Sequence, residues 1–184
     1  MALEALPTEY GGARFRSRTE ARWAVFFDHL GIRWEYEAQG FDAGGDWYLP
    51  DFLLFPACGM LWAEVKGSWE SEGIDRWRKF APWRPQPSRT VILIGTPQLG
   101  DTALVIGGRE DGNPHAGPWE DEQEWRPCPS GYHFDFAYAG TFRSKYAEDG
   151  CSHDPSSDRE LRLRRAYDAA TTHRFGIHDG GATD

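Results

Sequence analysis

Apolar residues near the N-terminus recur at helical spacing and then at alternate positions. An apolar stripe lies between a capping-box sequence and Gly31, which predicts a helix over residues 17–30. Alternating apolar and polar residues predict a half-buried strand over 32–37. Residues 1–16 contain breakers and are expected to be irregular. The same reasoning predicts further strands over 47–55, 60–66, 90–94, 103–106 and 132–138, and helices over 70–80 and 158–175.

The order of these elements defines the expected fold class. Three consecutive strands between helices predict an α+β core, a mixed β-sheet with a helix on each side, in the order αβββαβ over residues 1–107. Residues 108–126 are acidic and rich in glycine, and a loop or linker is expected there. Residues 127–184 are predicted to form a C-terminal appendage that ends in a basic helix.

Composition narrows the class of protein. Hydrophobic residues make up 40% of the 184 residues and nine are Trp, which is enough apolar surface for a core and excludes a mainly disordered chain. The apolar runs are too short to cross a bilayer, so no membrane association is expected. We expect no signal peptide, and the three scattered Cys favour a reducing, cytoplasmic location.

The charge distribution leaves a nucleic-acid partner open. The net charge of −9 argues against a non-specific nucleic-acid coat protein, which needs many cations to neutralise phosphates. Residues 76–89, however, contain five basic residues and no acidic one. A local basic strip of this kind permits nucleic-acid binding but does not require it.

The most informative residues for chemistry are Pro50-Asp51 and Glu64-Val65-Lys66. Side chains alternate between the faces of a strand, so Glu64 and Lys66 are expected to project together. Asp51 lies on the preceding strand of a predicted hairpin, where it can face Glu64. Two carboxylates offer the oxygen ligands that Mg²⁺ or Mn²⁺ prefers, and a neighbouring Lys can hold or activate a water. The sequence therefore predicts a metal-assisted hydrolytic site.

Glu20 adds a carboxylate on the inward face of the first predicted helix, where it is costly unless paired or metal-bound. Together these residues resemble the PD-(D/E)xK nuclease superfamily, which includes restriction endonucleases, Holliday-junction resolvases and transposon-end nucleases. The block over 16–67 is similar to small nuclease-type proteins of phage and actinobacterial genomes, and the resemblance covers about residues 14–107. Its matching segments are Arg18-Thr19-Glu20, Tyr48-Leu49-Pro50-Asp51-Phe52 and Glu64-Val65-Lys66-Gly67.

The resemblance implies a restriction-endonuclease-like core and hydrolysis of phosphodiester bonds in DNA. It implies that Asp51, Glu64 and the Val65 carbonyl bind Mg²⁺ or Mn²⁺, that Glu20 supports the metal, and that Lys66 positions the attacking water. Structural roles remain open for the same residues. Glu20 can complete a capping box, Asp51 can form a turn, and Glu64 with Lys66 can be an exposed pair on an edge strand.

The basic strip has two interpretations. A phosphate-binding surface would use its cations and would stack bases on its interleaved rings, whereas the alternative is a solvated helix face followed by a proline-rich loop. The candidate nucleic-acid-binding residues are Arg76, Arg78, Lys79 and Arg84, together with Arg18. The interleaved rings are Trp77, Phe80 and Trp83, although Trp62, Trp69 and Trp77 are expected to serve in packing.

The C-terminal part contains four residues of the types that bind Zn²⁺, namely Cys128, His133, Cys151 and His153. Neither pair has the usual ligand spacing, so unpaired thiols and surface histidines are the preferred interpretation. The arginines of the last predicted helix can serve DNA, a protein partner or solubility.

Two functions follow from these observations. The preferred one is a metal-dependent DNA endonuclease. The alternative is a catalytically silent, nuclease-like subunit that binds nucleic acid or protein within a larger assembly. A lone active site cuts one strand, so double-strand cleavage would require a homodimer or a partner protein.

Overall fold

The computed structural model describes residues 6–55, 60–68, 73–80, 88–97, 103–106, 122–127, 134–137 and 158–176. Its helices are α1 (Arg18–Leu30), α2 (Gly73–Phe80) and α3 (Asp158–Thr172). Its strands are β1 (Thr8–Tyr10), β2 (Ala13–Phe15), β3 (Arg33–Tyr36), β4 (Phe41–Asp42), β5 (Trp47–Tyr48), β6 (Phe52–Phe55), β7 (Met60–Lys66), β8 (Ser88–Ile94), β9 (Ala103–Ile106), β10 (Glu122–Pro127) and β11 (Phe134–Ala137).

Seven strands form one mixed sheet in the order β11-β10-β9-β8-β7-β6-β3. Strands β7 and β8 run parallel, and the other neighbours run antiparallel. Two separate hairpins, β1–β2 and β4–β5, lie outside this sheet. The predicted α+β class with a mixed sheet is therefore confirmed.

Helix α1 begins and ends where its capping residues predict. The Ser17 hydroxyl accepts a hydrogen bond from the Glu20 N–H, which satisfies a donor of the first helical turn. Gly31 ends the helix at φ 72°, a left-handed conformation that costs glycine little. The side chains of α1 that face the sheet are almost all buried, so this helix anchors the main core.

The sheet carries an apolar cluster on each face. One cluster joins α1 and α3 to the inward residues of β6, β7 and β8. The other contains Tyr48, Trp62, Trp77, Phe80 and Ile92, and it seats α2 on the opposite face. The predicted arrangement, a sheet with a helix on each side, is thus present.

Helix α3 packs against α1 through a small apolar patch. Ala166, Tyr167 and Ala170 are buried in the main cluster. The Arg162 guanidinium also donates to the Leu30 carbonyl at 3.2 Å, and Arg22 donates to the carbonyls of Ala170 and Thr171. Backbone acceptors at the ends of both helices are therefore used by arginines of the partner helix.

Three predicted segments differ from the structure. Residues 1–16 include the β1–β2 hairpin rather than only irregular chain. The predicted strand over 47–55 is interrupted, because β5 pairs with β4 in its own sheet and β6 starts after Pro50, which lacks an N–H. The predicted loop over 108–126 overlaps β10, which pairs with β9 on one side and with β11 on the other. The division into a core over 1–107 and an appendage over 127–184 stays a prediction.

No helix among the described residues is long and apolar enough to span a bilayer.

Phe52 is expected to be essential for the main core. Its side chain is fully buried, and the centroid of its ring lies 5.4–6.0 Å from the ring centroids of Phe15, Phe27 and Trp34. Phe52→Ala should lower the free energy of unfolding by about 3–5 kcal/mol, because it removes a large buried ring and leaves a cavity. Urea denaturation would measure this change. Leu161→Ala is the matched control, because Leu161 is 43% exposed on α3. An equal loss of the free energy of unfolding in both variants would contradict the role of Phe52 in the core.

Candidate functional site

The register between β6 and β7 brings the predicted carboxylates together. Phe52 pairs with Ala63, so the preceding residue, Asp51, lies beside Glu64. The Asp51 backbone N–H donates to Glu64 Oε2 at 3.3 Å, and the Val65 N–H donates to Asp51 Oδ2 at 2.7 Å. Both carboxylates are buried, Asp51 at 2% exposure and Glu64 at 4%. The expectation that Asp51 faces Glu64 is thus met in the structure.

Lys66 lies on the same face of β7 as Glu64. Its ammonium group forms an ion pair with Glu64 Oε1, and its side chain keeps 20% exposure. Ala63 and Val65 point to the opposite face, where they join the main core cluster. The Gly95 N–H donates to the Lys66 carbonyl at 2.7 Å, which fixes the end of β7 against the end of β8. The predicted alternation along this strand is therefore confirmed.

Arg16 joins the site, although no pattern in the sequence indicates it. Its Nη2 lies 2.5 Å from Asp51 Oδ1 and its Nε lies 2.8 Å from Glu37 Oε1. The Arg16 side chain is 57% exposed, whereas the Asp51 carboxylate is almost fully buried. The pair joins residues 35 positions apart, so no local pattern could have indicated it.

Glu20 completes a hydrogen-bond network at the start of α1. Its Oε1 accepts from the Ser17 hydroxyl at 2.8 Å. Its Oε2 accepts from the Tyr36 hydroxyl at 2.6 Å and from the Arg16 N–H at 3.1 Å. The structural alternative for Glu20, a role in capping, is therefore present. Its support of a metal stays a prediction.

The electrostatics of the site centre on Asp51. The pKa of the Asp51 carboxyl is raised from 3.8 to about 8, first by burial and then by the negative charges of Glu64 and Glu20, against the opposing effects of the Val65 N–H and the Arg16 guanidinium. Ionised Asp51 is therefore disfavoured by desolvation and by its neighbouring carboxylates more than its two donors compensate.

Buried polar groups surround the carboxylates on the α2 face. Within the part of the chain that the structure describes, the buried Tyr48 hydroxyl and the buried indole N–H groups of Trp62 and Trp77 have no partner in hydrogen-bonding geometry. Burial and the charge of nearby Glu64 raise the pKa of Tyr48 above its ordinary range. The pKa of Tyr36 is likewise raised, first by burial and then by its hydrogen bond to Glu20. These aromatic side chains supply a weakly hydrated environment for Asp51 and Glu64.

The site offers two carboxylates as oxygen ligands for a hard divalent cation, and water would have to supply the other ligands. Asp51 and Glu64 together offer carboxylate oxygens, and Mg²⁺ is commonly held by one or two carboxylates plus waters. Within the described ranges, no group of three or more His, Cys, Asp or Glu side chains is arranged to hold a metal ion. The residues therefore fit a two-carboxylate site completed by water. A ligand role for the Val65 carbonyl stays a prediction.

The basic strip is partly described. Arg76 and Lys79 are exposed on α2, and the Arg76 guanidinium donates to the Trp47 carbonyl at 3.3 Å. Trp77 and Phe80 are fully buried, so these two rings cannot stack on bases, and the expectation that Trp62 and Trp77 serve in packing is confirmed. Arg18 is exposed at the start of α1. The Arg78 side chain, Trp69, Trp83 and Arg84 lie outside the described residues.

The four candidate zinc ligands, Cys128, His133, Cys151 and His153, also lie outside the described residues. The zinc prediction is therefore untested by the structure.

Comparisons with protein-family models, with curated proteins and with solved structures find no match to this chain. The resemblance to the PD-(D/E)xK superfamily accordingly depends on the motif residues and their arrangement.

The raised pKa of Asp51 predicts how stability changes with pH. Folded Asp51 holds its proton more tightly than unfolded Asp51, so between about pH 4 and pH 8 the folded state binds more protons. The free energy of unfolding should then fall as the pH rises through this window. In Asp51→Asn the free energy of unfolding should fall less steeply with pH, because the folded variant holds about one proton fewer in this window. Urea denaturation in EDTA at several pH values would measure the difference.

Asp46→Asn is the matched control for this prediction, because Asp46 is an exposed carboxylate of the β4–β5 hairpin. It should keep the pH dependence of the wild-type protein. If Asp51→Asn also kept the wild-type pH dependence, a group other than Asp51 would bind the proton. The electrostatic account of Asp51 would then be wrong.

Proposed function

We propose that this protein is a metal-dependent endonuclease that hydrolyses phosphodiester bonds in DNA, built on a restriction-endonuclease-like core. The observation that carries the proposal is the convergence of Asp51, Glu64 and Lys66 at the end of the β6–β7 pair. This spatial arrangement matches the order and spacing of the sequence motif. A partly exposed Lys beside two buried carboxylates can combine cation binding with activation of a water.

Each residue has a distinct task in the proposed reaction. Asp51 and Glu64 would hold Mg²⁺ or Mn²⁺, which when bound supplies charge neutralisation at the phosphate and lowers the pKa of a coordinated water. Lys66 would exchange its ion pair with Glu64 for a hydrogen bond to the attacking water. The Val65 N–H orients Asp51 through Oδ2. Glu20 would act on the site through its charge.

The proposed DNA-binding surface consists of Arg76 and Lys79 on α2, with Arg78, Arg84 and Arg18 as further candidates. Arg76 and Lys79 are exposed on the helix that packs on the same sheet face as the carboxylate pair. Their role would be to neutralise phosphates, because Trp77 and Phe80 are buried in the protein.

A catalytically silent binding subunit remains the second candidate. Two observations favour it: the net charge of −9, and the fact that each carboxylate of the site already has partners within the chain. Such a protein would bind nucleic acid or another protein without turnover, and Lys66→Ala would leave its binding unchanged.

Cleavage assays test the enzyme directly. Supercoiled plasmid, single-stranded DNA and a four-way junction would be incubated with protein in EDTA, Mg²⁺ or Mn²⁺. Cleavage should require the metal, and Asp51→Ala and Lys66→Ala should each reduce its rate roughly 100-fold or more, because each removes a group that acts in the transition state.

Asp168→Asn, an exposed carboxylate on α3, is the control and should cleave normally. Circular dichroism should show that the inactive variants are folded. Metal-dependent cleavage that persists in folded Asp51→Ala would rule out this active site. Binding without cleavage in every condition would favour the second candidate.

The basic surface yields a separate prediction. The double variant Arg76→Ala, Lys79→Ala should bind DNA more weakly and with a shallower salt dependence, because about two phosphate contacts are lost. Fluorescence anisotropy over a range of salt concentrations would measure both quantities. Arg33→Ala is the control, because Arg33 pairs with Glu35 on β3. An unchanged salt slope in the double variant would exclude these two residues from the DNA interface.

A further inference from the structure

Both oxygens of the Asp51 carboxylate are in use. Oδ2 accepts from the Val65 N–H, and Oδ1 forms the ion pair with Arg16 Nη2. The Val65 donor belongs to the backbone of β7 and cannot move away without disrupting the strand. Oδ1 is therefore the oxygen whose partner can be exchanged for a cation, because its donor is a side chain, the Arg16 guanidinium, rather than strand backbone.

Arg16 is anchored so that it can leave Asp51 without leaving the site. Its Nε lies 2.8 Å from Glu37 Oε1 and 3.4 Å from the Tyr36 hydroxyl, contacts that do not involve the Asp51 carboxylate. Glu37 is itself held in place, since its N–H donates to the Asp51 carbonyl at 2.9 Å. The Arg16 side chain is 57% exposed, so rotation of its guanidinium toward solvent meets little packing.

Breaking the ion pair of Arg16 with Asp51 would destabilise the protein more than breaking its ion pair with Glu37. The Asp51 carboxylate is buried, and when it is ionised the loss of Arg16 would leave its charge without a cationic partner among the described residues, next to Glu64. The Glu37 pair lies nearer to solvent and contributes little by itself. Arg16 can therefore leave Asp51 only when another cation replaces it.

We propose that Arg16 is a tethered counter-ion: it pairs with the ionised form of Asp51 in the metal-free protein and is displaced by a divalent cation, while Glu37 keeps it beside the site. The proposal rests on the proposed function, because it assigns Asp51 as a metal ligand. Arg16 is then a positioning residue that sets the affinity for the metal. Part of the free energy of metal binding is used to break its contact with Asp51.

Binding of Mg²⁺ alone, measured by isothermal titration calorimetry without DNA, and thermal unfolding in EDTA test this role, both at a pH above 8, where Asp51 is ionised. Arg16→Gln should bind Mg²⁺ roughly 5-fold or more tightly than the wild-type protein, because no ion pair has to be broken. In EDTA the same variant should have a lower Tm, because Asp51 loses its counter-ion. Arg16→Lys should lie between the two proteins, since it keeps the charge but not the planar fork.

Arg33→Gln, which removes the exposed ion pair with Glu35 on β3, is the control for metal binding and should bind Mg²⁺ as the wild-type protein does. Unchanged or weaker Mg²⁺ binding by Arg16→Gln, beside normal binding by the wild-type protein, would overturn the counter-ion role and leave the proposed function intact. Absence of Mg²⁺ binding in both proteins would overturn the metal-dependent function and this proposal together. Binding by Arg16→Gln alone would support displacement.

Discussion

The candidate site depends on one register, the antiparallel pairing of β6 with β7. This pairing sets Phe52 opposite Ala63 and thereby places Asp51 next to Glu64. Phe52 is held in the core by a group of aromatic rings. Because Asp51 is its neighbour in the chain, apolar packing fixes the position of Asp51 more than its own polar contacts do. A slip of one residue would exchange the two faces of β7 and would bury Lys66 in the apolar cluster below α1.

Placing Asp51 and Glu64 together creates an electrostatic cost that the neighbouring residues reduce. Lys66 neutralises Glu64, and Arg16 neutralises Asp51 from the solvent side. Backbone N–H groups and the Tyr36 hydroxyl complete the hydrogen bonding of the three carboxylates. The compensation is incomplete at Asp51, because burial and two neighbouring negative charges still raise its pKa. An incompletely compensated carboxylate is suited to receive a cation.

The sequence was sufficient for features with a local physical cause. The capped helix α1, the alternation along β7 and the pairing of β6 with β7 all follow from short-range patterns, and the structure confirms them. Arg16 was missed because its ion pair with Asp51 depends on how distant segments pack. The strand β10 was missed because strand pairing uses backbone groups, and residues 122–127 lack the alternation of apolar and polar residues that indicates a strand. The break at Pro50 was indicated by proline chemistry but hidden within a continuous apolar segment.

The buried charges are hard to explain by stability alone. Replacing a buried ion pair with apolar residues of similar volume is often neutral or stabilising, by about 1–4 kcal/mol. Asp51 and Glu64 lie on the sheet face that carries the cluster around α2, where aliphatic side chains would pack without any need for Arg16 or Lys66. Lys66 in addition keeps a fifth of its side chain exposed, which a purely structural partner of Glu64 does not require. A group that is charged, partly exposed and rigidly held at a strand end is placed for chemistry on a molecule arriving from solvent, and this argument favours the enzyme over the silent binding subunit.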